Sequence, residues 1–467
     1  MARTLPLFLL LCAGCAAVGP DYTPPETPQT EAELFQGDGE QALSLAQWWR
    51  AFDDPLLTEL VETGLLYAPS VEAALARLRA SRASREGDEA GYWPQFSADG
   101  SYTWSRGWGA GNTHGWTDRL GASVDARWEL DVFGRVRRTV ERAEAEEARL
   151  AYTLQDVRVS LAAEIASAYV AVRRTAAQVA IAEKNLDIQR KNADLVERRY
   201  AVGETTRYDL VTAQAQVVRT QASLPSLRQA NLAAQLKLDW LVGQPPYATQ
   251  ARLAAAKDAM TLPGAKQKVL PNELLRRRAD IRSAEEAVHA QTAAVGIATA
   301  ALYPTFALGG SIGLSSPDLS PWSSYTRSVA FGPSVSWNVF GFGVWQKQVE
   351  SAKASLDAAV AEYKSAVLQA YQEAETAWTA CRSEAQRTED LQQTVEMTRQ
   401  ALDIANAIYL NGDKDIKDVL TQQGNLLSAE ENLVVHRAAL FDNAITLYRA
   451  LGGGWTDEAA LADAPAE

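Results

Sequence analysis

Two tyrosines, two aspartates and a lysine have types and spacings that could do chemistry. Tyr200 precedes Gly203 and Asp209, while Tyr409 precedes Gly412, Lys414 and Asp418. A phenol or an ammonium beside a carboxylate forms a hydrogen bond or ion pair worth about one to a few kcal/mol, even partly closed off from water. That is the chemistry of a contact that can be undone, not of bond breaking. On spacing alone, Asp209, Lys414 and Asp418 read more simply as solvated charge at helix starts, where the dipole favours carboxylates. Val202-Gly203 and Gly412-Asp413 stand where the chain would turn, and a glycine there is needed only for positive φ. Catalytic signatures are absent: His114, His289 and His436 are scattered, and neither H-E-x-x-H nor G-x-S-x-G occurs. Cys12 and Cys15 lie at the N-terminus and Cys381 is alone, so there is no disulfide framework and no paired-thiolate metal site. Arg276, Arg277 and Arg278 read as a solvated helix stripe.

The elements that carry these residues occur twice. Tyr200 and Tyr409, Gly203 and Gly412, and Asp209 and Asp418 keep one spacing of 209 residues, and Trp128-Glu-Leu-Asp-Val-Phe-Gly134 returns as Trp337-Asn-Val-Phe-Gly341. A unit that long is no solenoid repeat, so the chain reads as two similar halves of one body, 55–243 and 271–455, joined by a Pro- and Ala-rich linker at 244–270. Each half opens with a helix pair; the first is broken at Pro69. Residues 135–200 and 345–409 contain neither Pro nor Gly, which predicts helical rods on the order of 100 Å at about 1.5 Å per residue. Return arms complete two helical hairpins, 135–241 and 345–451. Ile416, Leu420, Leu427, Val434, Phe441, Ile445 and Tyr448 form a heptad-like seam on the second.

Between helix pair and hairpin the period changes to two. Alternation predicts strands at 96–105 and 120–130 in the first half, and at 306–315 and 328–339 in the second. Their length suits tilted membrane strands. Trp93, Trp104, Trp108, Trp116, Trp128, Trp322, Trp337 and Trp345, eight of thirteen tryptophans, lie at or just beyond strand ends, as interfacial girdles do. Four strands cannot close a barrel, and an open edge in lipid leaves backbone groups unpaired at several kcal/mol each. A dimer or larger is therefore required, and spacing does not choose which.

The first residues, with one positive charge, a short apolar run and small residues before Cys15, read as an export signal over 1–14. Ala13-Gly14-Cys15 resembles a lipobox, which implies diacylglycerol and N-acyl lipid on Cys15 and no other cofactor. Pro-rich sequence then predicts an extended tether over 15–54, and the acidic end, 456–467, a loose tail. The net charge of −13 over 467 residues argues against nucleic acid, whose phosphates require a basic face.

Taken together, the lipobox, the doubled W…V-F-G and Y-x-x-G-x-x-x-x-x-D, the L-L-R-R-x-D-I type stretch ending at Ile281 and Leu447-Tyr-Arg-Ala-Leu-Gly-Gly-Gly-Trp455 resemble TolC-type outer-membrane efflux channels, in the lipoprotein branch that includes OprM- and NodT-like proteins. Ala279 stands where that pattern usually has Pro. The resemblance implies an α+β membrane protein: a homotrimer with a 12-stranded outer-membrane β-barrel, four strands per chain, continued by a long α-helical periplasmic barrel. It also implies the exit duct of a tripartite, RND-type system in a Gram-negative bacterium, with a periplasmic adaptor, an inner-membrane pump and outer-membrane lipid as partners. Small toxic compounds would pass through an iris at the helix tips. On this resemblance Tyr409 bonds Asp209 on the neighbouring hairpin, Lys414 tethers one protomer to the next, Asp418 forms an acidic ring, and adaptor hairpins dock around Val202, Gly203, Gly412 and Asp413. Thr421 replaces a second carboxylate and Tyr208 a smaller polar residue, which leaves the number of acidic rings and the partner of Lys414 open. A type I protein-secretion channel shares the architecture. A periplasmic coiled-coil scaffold would explain the long helices but not the strands.

Overall fold

The computed structural model describes residues 17–27, 45–106, 108–109, 112–113, 116–256, 260–262, 277–316, 325–410 and 416–455. They fall into two compact units. The first draws on Met1–Thr27, Ala76–Ala151 and Ile281–Ala366, and the second on Pro28–Leu75, Tyr152–Asp280 and Val367–Glu467. In chain order the elements are α1 (Pro55–Tyr67), α2 (Pro69–Glu89), β1 (Gln95–Ser105), β2 (Thr117–Leu130), α3 (Arg135–Ala201), α4 (Arg207–Leu241), the short α5 (Gln250–Ala255), α6 (Ala279–Ala300), β3 (Thr305–Ser316), β4 (Thr326–Ser336), α7 (Phe342–Leu410) and α8 (Ile416–Ala450).

The first unit is built on one antiparallel sheet in the order β1-β2-β3-β4. Its register sorts side chains by the period of two. Phe96, Ala126, Gly310 and Phe331 share one row, Ala98, Val124, Ile312 and Val329 the next, and Trp128, Leu308 and Pro333 another, all on the same face. The opposite face carries Ser97, Asp125, Ser311 and Ala330 in one row, and Asp99, Ser123, Gly313 and Ser328 in the next. The apolar face is open: Phe96 is 74% exposed, Ile312 64% and Val329 77%. β4 ends at Ser336, short of the expected 339. There Trp337 Nε1 donates to the Leu302 carbonyl, and Asn338 caps a short turn, Val339–Gly341, by accepting from the Gly341 N–H.

The stretch expected as tether is packed at its described ends. In the first unit Val18 N–H donates to the Phe133 carbonyl, Asp21 pairs with Arg138 at 2.6 Å, and Tyr22 stacks on His289 with ring centroids 4.2 Å apart. In the second unit a 3-10 segment, Leu45–Phe52, inserts Trp48, Trp49 and Phe52 into the core, with Trp48 stacked on Tyr448. Aromatic burial on this scale fixes chain that composition alone marks as linker. Asp54 then starts α1: its Oδ1 accepts from the Leu56 and Leu57 N–H groups, and its Oδ2 accepts from the Tyr169 hydroxyl at 2.7 Å. Ala68, forced extended by the following Pro69, separates α1 from α2.

Within the second unit the duplication is visible in the backbone. α4 and α8 each end in a Schellman turn, at Gly243 and Gly452, with φ of +74° and +72°. A Cβ on Gly243 would lie 2.7 Å from the Tyr67 carbonyl oxygen, and one on Gly452 2.6 Å from that of Arg277. Both glycines are thus required twice over, by φ and by space. Beside the second turn, Arg278 grips three elements: its guanidinium donates to both carboxylate oxygens of Asp280 at 3.0 and 2.7 Å, to Glu373 at 2.8 Å, and to the Ala450 carbonyl at 3.2 Å. Arg278 belongs to no solvated stripe, being only 8% exposed. It ties the α6 start and α7 to the last turn of α8.

Candidate functional site

In the first unit the candidate surface is the sheet itself. Six consecutive rows of the apolar face, from Leu130 to Leu120, extend about 33 Å along the strands at roughly 3.3 Å per residue, or about 25 Å of height at a tilt near 40°. That height matches the lipid-facing band of an outer-membrane barrel. Beyond it, Trp104 packs on Trp116 and Arg106 lies over the Trp116 ring; at the other end Trp128 Nε1 donates to the Tyr92 carbonyl, as Trp337 does to Leu302 in the second half. Amphipathic rings anchored at both ends are what a membrane interface selects. Among the described residues, the outer edges of β1 and β4 have no partner strand.

In the second unit the candidate site is the end of the two helical hairpins. Gly203, at φ +81°, closes α3 with a Schellman turn: its N–H donates to the Tyr200 carbonyl, and that of Glu204 to Arg199. Val202 is 71% exposed there, and a Cβ on Gly203 would meet open space, so the turn presents a bare surface. Thr206 starts α4 with a full capping box: its hydroxyl accepts from the Asp209 N–H, and the Asp209 carboxylate accepts from the Thr206 N–H at 3.1 Å. The Thr206 and Thr205 hydroxyls also donate to Asp209, at 2.6 and 2.9 Å. These bonds, Thr206 first, hold the Asp209 carboxyl below the usual carboxylate range. Because its folded value is depressed, its stabilising effect is present above the ordinary carboxylate range and lost as pH falls through the folded value.

Tyr409, 7% exposed, packs in a cluster with Val196, Ala213, Ile416 and Val419 that joins the ends of all four hairpin helices. Its ring lies under the Arg199 guanidinium, 4.9 Å from carbon to centroid. The contacts of Tyr409 and Asp209 are thus with Arg199 and with the capping threonines; a bond between the two is not among them. Asp418 occupies the first turn of α8, the position equivalent to Asp209 in α4. Gly412, Asp413, Lys414 and Cys15 lie outside the described residues.

The other chemistry-bearing groups are used structurally. His436 Nδ1 sits 2.6 Å from Glu384, and His289 lies between Glu286 and Glu141. Cys381 is buried in α7, and burial pushes its thiol up, away from reactive thiolate. Among the described residues no cluster of three or more His, Cys, Asp or Glu is arranged to hold a metal, and no helix is long and apolar enough to cross a membrane.

Comparisons with known proteins agree with this geometry. A family model described as "Outer membrane efflux protein" matches residues 60–244 and 270–453. Nodulation protein T of Rhizobium leguminosarum bv. viciae is 30% identical over 457 residues, covering 97% of this chain and 93% of that protein. The probable efflux pump outer membrane protein TtgC of Pseudomonas putida is 27% identical over 483 residues, covering 98% and 97%. Among solved structures, the outer-membrane channel OprN superposes with a TM-score of 0.83 at 33% identity, covering 94% of this chain and 99% of that one.

Proposed function

This chain belongs to the outer membrane efflux protein family, and from that membership we propose how it works. It is the outer-membrane exit duct of a tripartite efflux system. The single observation that carries this reading is the open sheet with one apolar face of membrane height and, among the described residues, both rims unpaired. Oil tolerates such a sheet only when other copies close it into a cylinder. Three copies would supply twelve strands, inside the range of bacterial barrels. A coiled-coil scaffold has no use for that face.

In our reading the duct passes small toxic compounds handed over by a periplasmic adaptor and a proton-driven RND pump. The reading rests on relatives such as TtgC, whose name assigns it to an efflux pump. Adaptor hairpins dock at the bare α3–α4 turn around Val202 and Gly203, and at its counterpart around Gly412 and Asp413. The tips are the gate: Asp418 supplies an acidic ring, Tyr409 and Asp209 hold the closed form, and Lys414 tethers neighbouring copies. Asp418→Ala is expected to raise single-channel conductance of the purified oligomer in planar bilayers. Conductance identical to the parent would remove the acidic ring from the gate.

Lipidation of Cys15 anchors the chain beside its barrel. Support comes from the packed stretch that follows it: Ala17 is the first described residue, and a Cβ on Gly134, four residues beyond β2, would lie 2.5 Å from the Ala17 Cβ. Cys15→Ser is expected to abolish metabolic labelling by radioactive palmitate; label retained elsewhere on the chain would show that the acceptor is another residue.

A further inference from the structure

The tip of the first hairpin contains a residue that neither repeat pattern nor charge count brings forward. Arg199, in the last turn of α3, places its guanidinium over the buried Tyr409 ring of α7 at 4.9 Å. Its Nε pairs with Glu204 at 3.2 Å, and the Glu204 N–H donates back to the Arg199 carbonyl through the Gly203 turn. The arginine is therefore aimed from both sides: the turn fixes its charged end, and the apolar cluster of Val196, Ile416 and Val419 fixes the ring beneath it. A guanidinium on a ring largely withdrawn from water is a favourable arrangement, stronger than the same pair on an open surface.

The duplication shows what this contact is for. Moving each partner by the repeat spacing sends Arg199 to Ile408 and Tyr409 to Tyr200. In a closed ring of identical copies the halves alternate, first, second, first, second, and every seam within a chain has a counterpart between chains. At that counterpart an isoleucine takes the place of the arginine. Tyr200 is 40% exposed in the single chain, whereas Tyr409 is 7% exposed.

We propose that Arg199 is a positioning residue of the gate, a clamp that fastens the two hairpins of one chain to each other and has no equivalent at the seam between copies. The closed tip is then asymmetric, with clamped and unclamped seams alternating around the ring. This rests on the reading of the hairpin tips as the gate.

The test records single channels in planar bilayers from full-length oligomers carrying Arg199→Gln, Arg199→Lys, Tyr409→Leu, the Arg199→Gln/Tyr409→Leu pair and Asp418→Ala, each first shown to remain oligomeric. Arg199→Gln is expected to raise the conducting fraction about tenfold, the shift that corresponds to losing about 1.4 kcal/mol from the closed form. Arg199→Lys should recover part of it, because the charge remains while the planar face is lost. The pair should open no further than Tyr409→Leu alone, since each change removes the same contact. Ile408→Arg, which writes the clamp into the other seam, should lower the conducting fraction below that of the parent. Parental behaviour of Arg199→Gln beside an opened Asp418→Ala overturns the clamp and leaves the gate standing. Parental behaviour of every variant removes the gate as well.

Discussion

Arginine in place of Ile312 is expected to stop the oligomer from forming in membranes. Ile312 lies in the fourth of the six rows on the apolar face, level with Ala98, Val124 and Val329, which places it near the middle of the lipid. Arginine there costs about 2–4 kcal/mol per chain in a barrel, and the cost is multiplied by the number of copies. Its neighbour makes the control. Ser311→Arg places the same side chain on the opposite face, in the row of Asp125, where it meets water and a carboxylate. Recovery of heat-resistant oligomer from outer membranes should collapse for the first variant and persist for the second, with conductance of the second altered. If both are lost, or neither, the assignment of the two faces is wrong.

Truncating Arg278 should be the most damaging single change in the second unit. Arg278→Ala removes four hydrogen bonds and leaves Asp280 and Glu373 facing each other beside Asp156, whose carboxyl is pushed up by burial and by Asp280. Breaking a buried pair costs about 3–5 kcal/mol. Asp280 and Glu373 keep 37% and 33% of their side-chain surface in water, so the low end, about 3 kcal/mol, is the expected loss. Lysine should not restore it, because one ammonium cannot span the Asp280 fork, Glu373 and the Ala450 carbonyl together. Thermal unfolding of detergent-purified protein measures this directly. A melting temperature within a degree of the parent for Arg278→Ala would show that the network carries no stability.

Much of this architecture was legible in the sequence because its signals are periodic and long. Alternation located all four strands within a few residues, and the absence of Pro and Gly over 135–200 and 345–409 marked the two long rods, which run Arg135–Ala201 and Phe342–Leu410. Pro225 lies inside α4 without ending it, a reminder that packing along a long helix can override one local breaker. Sequence reading failed where contacts join distant segments. Trp48 looked like tether because its partner Tyr448 lies 400 residues away. Arg199 was passed over because nothing local distinguishes it from other arginines on α3; only the ring of Tyr409 gives it a role. One missed signal was local. Thr206-Arg-Tyr-Asp209 has the spacing of a capping box, and that spacing pairs the Asp209 carboxylate with Thr206, where charge at a helix start alone names no partner.

The unpaired rims of β1 and β4 also constrain how the cell can make this protein. A freshly exported chain cannot enter the lipid alone, so insertion waits on encounters among siblings and rises more steeply than linearly with their supply. Halving gene dosage should therefore more than halve the number of finished pores, and solitary chains left in the periplasm will be the material that proteases and escort chaperones see.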